Sequence, residues 1–316
     1  MRYKKYILAS QFIFLSGLIL ALKKSAELYK LAVARSDKKC LEKLIDLSYE
    51  ENLLKKINAP QNSNEWVKNV PHQEFFISSF DNLKLYGIVI KQKNYSPNWI
   101  IIVHGYNGFG LQMLDTAKKF YDANFNIVLP DCRGHGKSDG NYIGMGWHDR
   151  LDILKWINFI IKNNPHAKII LYGLSMGAAT VLMTAGEILP ANIKCIIEDC
   201  GYTSVLDEFS YHYDKIFGLP HFPLLNLTDL ICQTKAGYKL SEASAVNQLK
   251  KCKTPVLFIH GEADRFVPTN MVYKLYESAL CPKDILIVPK AGHGISAKVD
   301  EKKYWQKIFD FTGKYL

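Results

Sequence analysis

The sequence predicts an α/β protein with a doubly wound, mostly parallel sheet of eight strands. Three observations predict it. From Trp99 onward, short β-branched apolar runs alternate with amphipathic stretches of helical period. One run, Ile169-Ile170-Leu171, ends abruptly at Gly173-Leu174-Ser175-Met176-Gly177, followed by the helix-like Ala178 to Met183. Two later runs end in loops that carry Asp264 and His293.

Residues 1–24 predict a membrane segment. Tyr6 to Leu22 is a run of 17 residues without a charge, preceded by Arg2, Lys4 and Lys5 and closed by Lys23 and Lys24. That length is at the lower edge of what spans a bilayer as a helix. No small-residue cleavage site follows directly, so an uncleaved signal anchor is preferred to a secretory signal peptide. Basic residues flank both ends, and the commoner arrangement, N-terminus inside and the remainder outside, gives a single-pass cell-membrane protein.

Residues 25–70 predict an amphipathic helical linker. Leu28, Leu31, Ala32, Leu41, Leu44, Ile45, Leu47, Leu53 and Leu54 recur at helical spacing among many charges. Asn58 to Val70, rich in Asn and holding Pro60, reads as the linker proper.

Residues 71–316 form the main domain. Strands are predicted at 74–80, 83–91, 99–104, 126–131, 168–172, 193–199, 254–260 and 284–289, the first two as a hairpin about Asp81-Asn82. Helices are predicted at 112–124, 148–162, 176–189, 268–280 and 302–314. The interval 201–253 exceeds a simple crossover and predicts a small helical cap. Tyr202, Phe209, Tyr211, Tyr213, Phe217, Phe222, Leu224 and Leu225 there either line an apolar pocket or pack the cap onto the sheet.

Composition narrows the function. Of a formal charge of +10, residues 1–70 hold 13 Lys/Arg against 7 Asp/Glu, so the basic excess lies mainly at the N-terminus and points to no nucleic-acid-binding face. Seven cysteines (Cys40, Cys132, Cys195, Cys200, Cys232, Cys252 and Cys281) form no C-x-x-C pair and no cluster at ligand spacing. No metal site and no cofactor is expected.

The chemistry is expected at Ser175. A strand that reverses sharply into a helix needs glycine where main chains crowd, and the helix start aims N–H groups at the serine. A serine hydroxyl is a poor nucleophile at neutral pH and needs a base, itself oriented by a third group. Asp264 follows the strand Val256 to Ile259 in His260-Gly261-Glu262-Ala263-Asp264-Arg265-Phe266-Val267-Pro268. His293 follows Ile285 to Val288 in Ala291-Gly292-His293-Gly294. Both fall at the carboxyl edge of the sheet, with Ser175.

In these motifs the sequence resembles the α/β-hydrolase superfamily over roughly residues 74–316. Asp131-Cys132-Arg133-Gly134-His135-Gly136-Lys137-Ser138 also resembles the D-x-R-G-x-G-x-S loop of many members. The resemblance implies Ser175 as nucleophile, Asp264 as acid and His293 as base. It implies an oxyanion hole from the backbone N–H groups of Met176 and of Tyr106, in His104-Gly105-Tyr106-Asn107-Gly108. The tethered N-terminus resembles bacterial members described as serine hydrolases or esterases.

Asp199, which ends the sixth strand, is the rival acid. His104, His135, His148 and His260 read as bracing residues. The expected function is a membrane-associated serine esterase, of the carboxylesterase or lipase type, acting on a small or lipid-like ester. A serine peptidase of the same fold is the alternative, favoured if Glu208, Asp214, Asp229 or Glu242 of the cap binds a substrate amine. A catalytically silent tethered binding protein would lack one of the three residues. A dehalogenase or epoxide hydrolase is disfavoured, since relatives with those activities carry Asp at the elbow.

Overall fold

The computed structural model describes residues 2–35, 63–217 and 221–316. The predicted amphipathic positions from Leu41 to Leu54 and the start of the Asn58–Val70 linker lie outside the described residues.

Eight strands form one sheet: β1 His72–Ser78, β2 Lys84–Ile90, β3 Asn98–Val103, β4 Asn126–Pro130, β5 Lys168–Leu174, β6 Ile193–Asp199, β7 Val256–Gly261 and β8 Lys283–Val288. Their order is β1-β2-β4-β3-β5-β6-β7-β8. β1 and β2 make an antiparallel hairpin whose turn holds Asn82 at φ 66°. β2 also runs antiparallel to β4, and every later pair is parallel. The described helices are α1 Arg2–Ala32, α2 Ser63–Lys68, α3 Leu114–Asp122, α4 Asp149–Asn163, α5 Met176–Thr184, α6 Val205–Phe217, α7 Leu224–Ala236, α8 Ala245–Leu249, α9 Asn270–Ser278, α10 Ser296–Val299 and α11 Glu301–Gly313.

The central strands are continuous apolar runs because both faces of the sheet are covered. Side chains alternate between faces. Ile101, Val103, Ile169 and Leu171 therefore pack with Trp156 of α4 and Val181 of α5. Ile100, Ile102, Ile170 and Tyr172 pack with Phe120 of α3 and Ile308 of α11. A one-residue slip would exchange the two sets between faces whose helices are shaped for the other set, so close packing on both faces fixes the register that puts the strand ends in line. Helix α5 ends at Thr184, short of the predicted 189, where Gly186 leaves no room for a side chain: a Cβ there would stand 2.3 Å from Gln248 Oε1.

The cap comprises α6, α7 and α8. Tyr202 and Phe209 join the core beneath it, Tyr213 and Leu225 are buried, and Phe222 is exposed; the Phe217 side chain lies outside the described residues.

The predicted single-pass anchor gains no support. Among the described residues no helix is long and apolar enough to cross a membrane. Helix α1 carries the 17-residue apolar run but continues through Lys23, Lys24, Glu27 and Lys30, and its end is committed to the domain. Tyr29 and Val33 are buried in the core, and Ser25 Oγ donates at 2.9 Å to the Leu224 carbonyl. The C-terminal part of α1 packs along α7.

Candidate active site

Ser175 stands between the end of β5 and the first residue of α5, with φ 56° and ψ −117°. A side chain at φ > 0 is strained, and two glycines allow the turn. A Cβ on Gly173 would lie 2.1 Å from the Gly177 carbonyl oxygen, and one on Gly177 would lie 2.1 Å from the Val103 carbonyl oxygen. The Ser175 N–H donates at 2.8 Å to the Asp199 carbonyl, which ties the turn to β6.

The structure brings Ser175, His293 and Asp264 together. His293 Nε2 is 2.8 Å from Ser175 Oγ, and His293 Nδ1 is 2.7 Å from Asp264 Oδ2. An ionised carboxylate only accepts, so Nδ1 carries the proton and Nε2 is free to accept the serine hydroxyl hydrogen. Asp264 is fixed on its other oxygen: Oδ1 accepts the N–H groups of Phe266 and Val267 at 2.9 and 3.0 Å. The Phe266 ring lies against His293, with centroids 4.9 Å apart.

Burial acts to raise the Asp264 pKa, but His293 and His260 outweigh it and hold the carboxyl far below the usual range. Burial likewise acts to lower the His293 pKa. The Asp264 charge and hydrogen bond, with Glu208 behind them, outweigh it and raise the pKa above 6.5. A base must be neutral to accept a proton, so with His293 as the expected base activity is expected to fall as pH drops through this raised value. The acid limb of kcat/KM against pH is expected to have its midpoint above pH 6.5, and a midpoint below that would mean that the Asp264 charge does not outweigh burial at His293.

The two segments expected to supply oxyanion donors flank the serine. Met176 opens α5, whose first N–H groups have no partner within the helix. Gly105 lies against the serine, since a Cβ on it would stand 3.4 Å from Ser175 Cβ, and Tyr106 is the next residue. The Tyr106 side chain turns away and donates to the Leu31 and Ala32 carbonyls at 3.2 and 3.1 Å.

Asp199, the rival acid, is bonded elsewhere. Its Oδ2 accepts the Tyr304 hydroxyl at 2.7 Å and the Tyr172 hydroxyl at 3.4 Å, and burial pushes its pKa up to about 6. The other histidines brace loops. His104 Nε2 accepts the Cys132 N–H at 3.0 Å, His135 Nδ1 is 3.0 Å from the Arg133 carbonyl, and His148 Nδ1 is 2.6 Å from the Tyr142 hydroxyl. Burial holds all three neutral, with pKa values of about 4, 3 and 4.

The Asp131–Ser138 loop is bracing too. Asp131 accepts the Gly110 and Lys137 N–H groups, and fully buried Arg133 bonds Asp152 and Asp81.

Two residues named in the sequence, His260 as a bracing residue and Glu208 as one of four cap acids, stand closer to the site than the sequence singles out. His260 Nε2 lies 3.0 Å from the Val267 carbonyl and 3.3 Å from Asp264 Oδ2, so it shares the oxygen that His293 uses. Its position at the end of β7, four residues before Asp264, is the only signal. Glu208 on α6 is buried, bonds His212 at 2.9 Å through Oε1, and has no hydrogen-bond partner on Oε2 among the described residues. Asp214, Asp229 and Glu242 instead engage His221, Ser241 and the Lys239 N–H at the surface.

Cys200, Asp264 and His293 hold ligand atoms within 4.8 Å of one another, the one such group among the described residues. The donors do not fit a resident metal. Asp264 and His293 are engaged with each other and with Ser175, and burial drives the Cys200 thiol pKa well up.

Comparisons with known proteins agree with this architecture. The fold is similar to that of the esterase Pf2001 of Pyrococcus furiosus, with a TM-score of 0.66, 21% identity and coverage of 81% of this chain and 96% of that one. Residues 96–198 match the family model described as serine aminopeptidase, S33. Over 217 residues the chain is 30% identical to the uncharacterized protein YqkD of Bacillus subtilis, spanning 68% of this chain and 71% of that protein. The chain belongs to the α/β-hydrolase superfamily. This hydrolase is also 25% identical over 249 residues to a protein of Saccharomyces cerevisiae described as an uncharacterized membrane protein, covering 77% of this chain and 80% of that one. The S33 match ends at β6, so Ser175 lies inside it, while Asp264 and His293 lie beyond it.

Proposed function

We propose that the protein is a serine hydrolase that cleaves carboxylic esters through an acyl-serine intermediate, with Ser175, His293 and Asp264 as nucleophile, base and acid. The unbroken relay from Asp264 Oδ2 through His293 to Ser175 Oγ, at 2.7 and 2.8 Å, is the observation that carries the reading. His293 takes the serine proton as Oγ attacks the acyl carbon, and Asp264 stabilises the imidazolium. The Met176 and Tyr106 N–H groups hold the developing oxyanion. His293 then protonates the leaving alcohol, and water activated by the same imidazole releases the acid. The test is hydrolysis of p-nitrophenyl esters of increasing chain length by the full-length protein. No turnover of any of them would set the esterase reading aside, and the preferred length separates small from lipid-like substrates.

The second reading, a serine peptidase that takes a free amino terminus, is favoured by Glu208. Its buried carboxylate has an oxygen without a partner among the described residues and is close enough to His293 to raise that residue's pKa. An unpaired buried acceptor is costly, and a substrate ammonium would satisfy it. Glu208→Gln is expected to lower kcat/KM for aminoacyl p-nitroanilides by roughly ten-fold or more, while p-nitrophenyl acetate changes little. Equal loss on both substrates would remove the amine subsite.

For location, we propose that the full-length protein associates with a membrane through α1. The description of the yeast relative supports this, as does the exposure of Leu18, Ile19, Leu20 and Leu22. The native protein is expected to pellet with membranes, and recovery in the soluble fraction after gentle lysis would sink the idea.

A further inference from the structure

We propose that the segment Tyr29–Arg35 is a strap that positions the oxyanion donor Tyr106 through its side-chain hydroxyl, a proposal that rests on the serine-hydrolase reading above. The last turn of α1 closes with the N–H groups of Val33 and Ala34 both donating to the Tyr29 carbonyl, each at 2.9 Å. The Leu31 and Ala32 carbonyls stand at the helix end, where no following turn supplies donors. Both accept the Tyr106 hydroxyl, from a residue 75 and 74 positions away. Burial raises the pKa of that phenol well above 10.0, so it stays a donor throughout the working pH range.

Beyond the helix end the strap is held in place along its length. The Val33 carbonyl accepts the Ile143 N–H at 2.7 Å, and the Arg35 N–H donates to the Asn141 carbonyl at 2.9 Å. Ala34 forms an isolated antiparallel bridge with Tyr142. The Arg35 guanidinium spans three carbonyls of the loop after β4, those of Gly136, Ser138 and Gly140, at 3.1, 3.0 and 3.1 Å. Seven residues far from the triad in sequence are thus fastened to the domain at one end by Arg35 and to the oxyanion loop by Tyr106.

The consequence is local geometry. Tyr106 lies between Gly105, packed on Ser175, and Asn107 at φ 56°. Its N–H direction follows the rotation of that short loop, and the phenol, tied to the strap, resists the rotation. Oxyanion donors act through placement, so a small turn of the 105–106 peptide weakens transition-state binding and leaves ground-state binding of the ester almost unchanged. Tyr106 is therefore a positioning residue through its side chain, whatever its backbone donates.

The experiment compares full-length wild type, Tyr106→Phe, Arg35→Ala and the double variant. It reads kcat and KM on an ester that the wild type hydrolyses, the rate of fluorophosphonate labelling, and the thermal midpoint. Tyr106→Phe is expected to lower kcat and the labelling rate about ten-fold at unchanged KM. Arg35→Ala should shift both in the same direction by less, and the double variant should be no slower than Tyr106→Phe, since Arg35 acts through that hydroxyl. Tyr106→Phe within two-fold of wild type, or effects that multiply in the double variant, would overturn the strap. A loss of thermal stability with kcat unchanged would overturn it too, since that marks a merely structural bond. Should Tyr106→Phe fail to fold, Arg35→Ala decides alone: slower turnover at constant KM supports the strap, and wild-type kinetics reject it. A folded wild type that neither labels nor turns over would reject the hydrolase reading itself, and the strap with it.

Discussion

Ser175→Ala is expected to lower ester turnover by at least about 10⁴-fold and leave the protein folded. The nucleophile leaves and no neighbour replaces it. Cys200 is buried with its thiol pKa driven upward, and Thr180 Oγ1 is occupied in bonding the Met176 carbonyl at 2.8 Å. What remains is binding and the oxyanion donors, which support only weak catalysis by water. Stability should change by no more than about 1 kcal/mol. The substitution removes one hydrogen bond to His293 and keeps the Cβ that the turn at φ 56° already tolerates. Steady-state kinetics with a thermal unfolding scan checks both halves. Loss of fold would mean that the serine serves the turn, and retained turnover would mean that it serves nothing catalytic.

Asp264→Asn is expected to cost about 10⁴-fold in kcat, by a route that the hydrogen bonds specify. The Phe266 and Val267 N–H groups both donate to Oδ1, so the asparagine must keep its carbonyl oxygen there. That turns its amide N–H groups toward His293 Nδ1, which must then accept. The imidazole proton moves to Nε2, facing Ser175 Oγ, and the base is lost to the wrong tautomer. The charge that raises the His293 pKa is lost as well. The residual activity is therefore expected to keep its acid limb to a lower pH than wild type. A pH–rate profile of the variant measures this, and a limb at the wild-type position would show that Asp264 does not set the imidazole's proton affinity.

The fold was legible because the central strands of the doubly wound sheet are β-branched runs buried on both faces, and Gly173 and Gly177 mark the turn at Ser175, where main chain crowds. The placement of Ser175, Asp264 and His293 at one edge followed from strand ends alone. The choice between carboxylates was not legible to the same degree, since Asp199 and Asp264 each follow a buried strand. Asp199 is taken up by Tyr172 of β5 and Tyr304 of α11, and no local pattern announces a contact between residues 105 apart. The end of α1 was hidden for a related reason. Leu28, Leu31 and Ala32 carry the helical period of any amphipathic linker, and only the partners, Tyr106 and the loop after β4, make Tyr29–Arg35 part of the domain. Glu208 likewise reads as one acid among several on a cap; burial distinguishes it, and burial is a tertiary property.

The central claim, that Ser175 is an activated nucleophile, is tested most directly by reacting the full-length protein with a fluorophosphonate and mapping the adduct by peptide mass. One adduct is expected, on Ser175, formed faster as pH rises through the raised pKa of His293 and absent in Ser175→Ala. An adduct on another residue, or none in a protein shown to be folded, would contradict it.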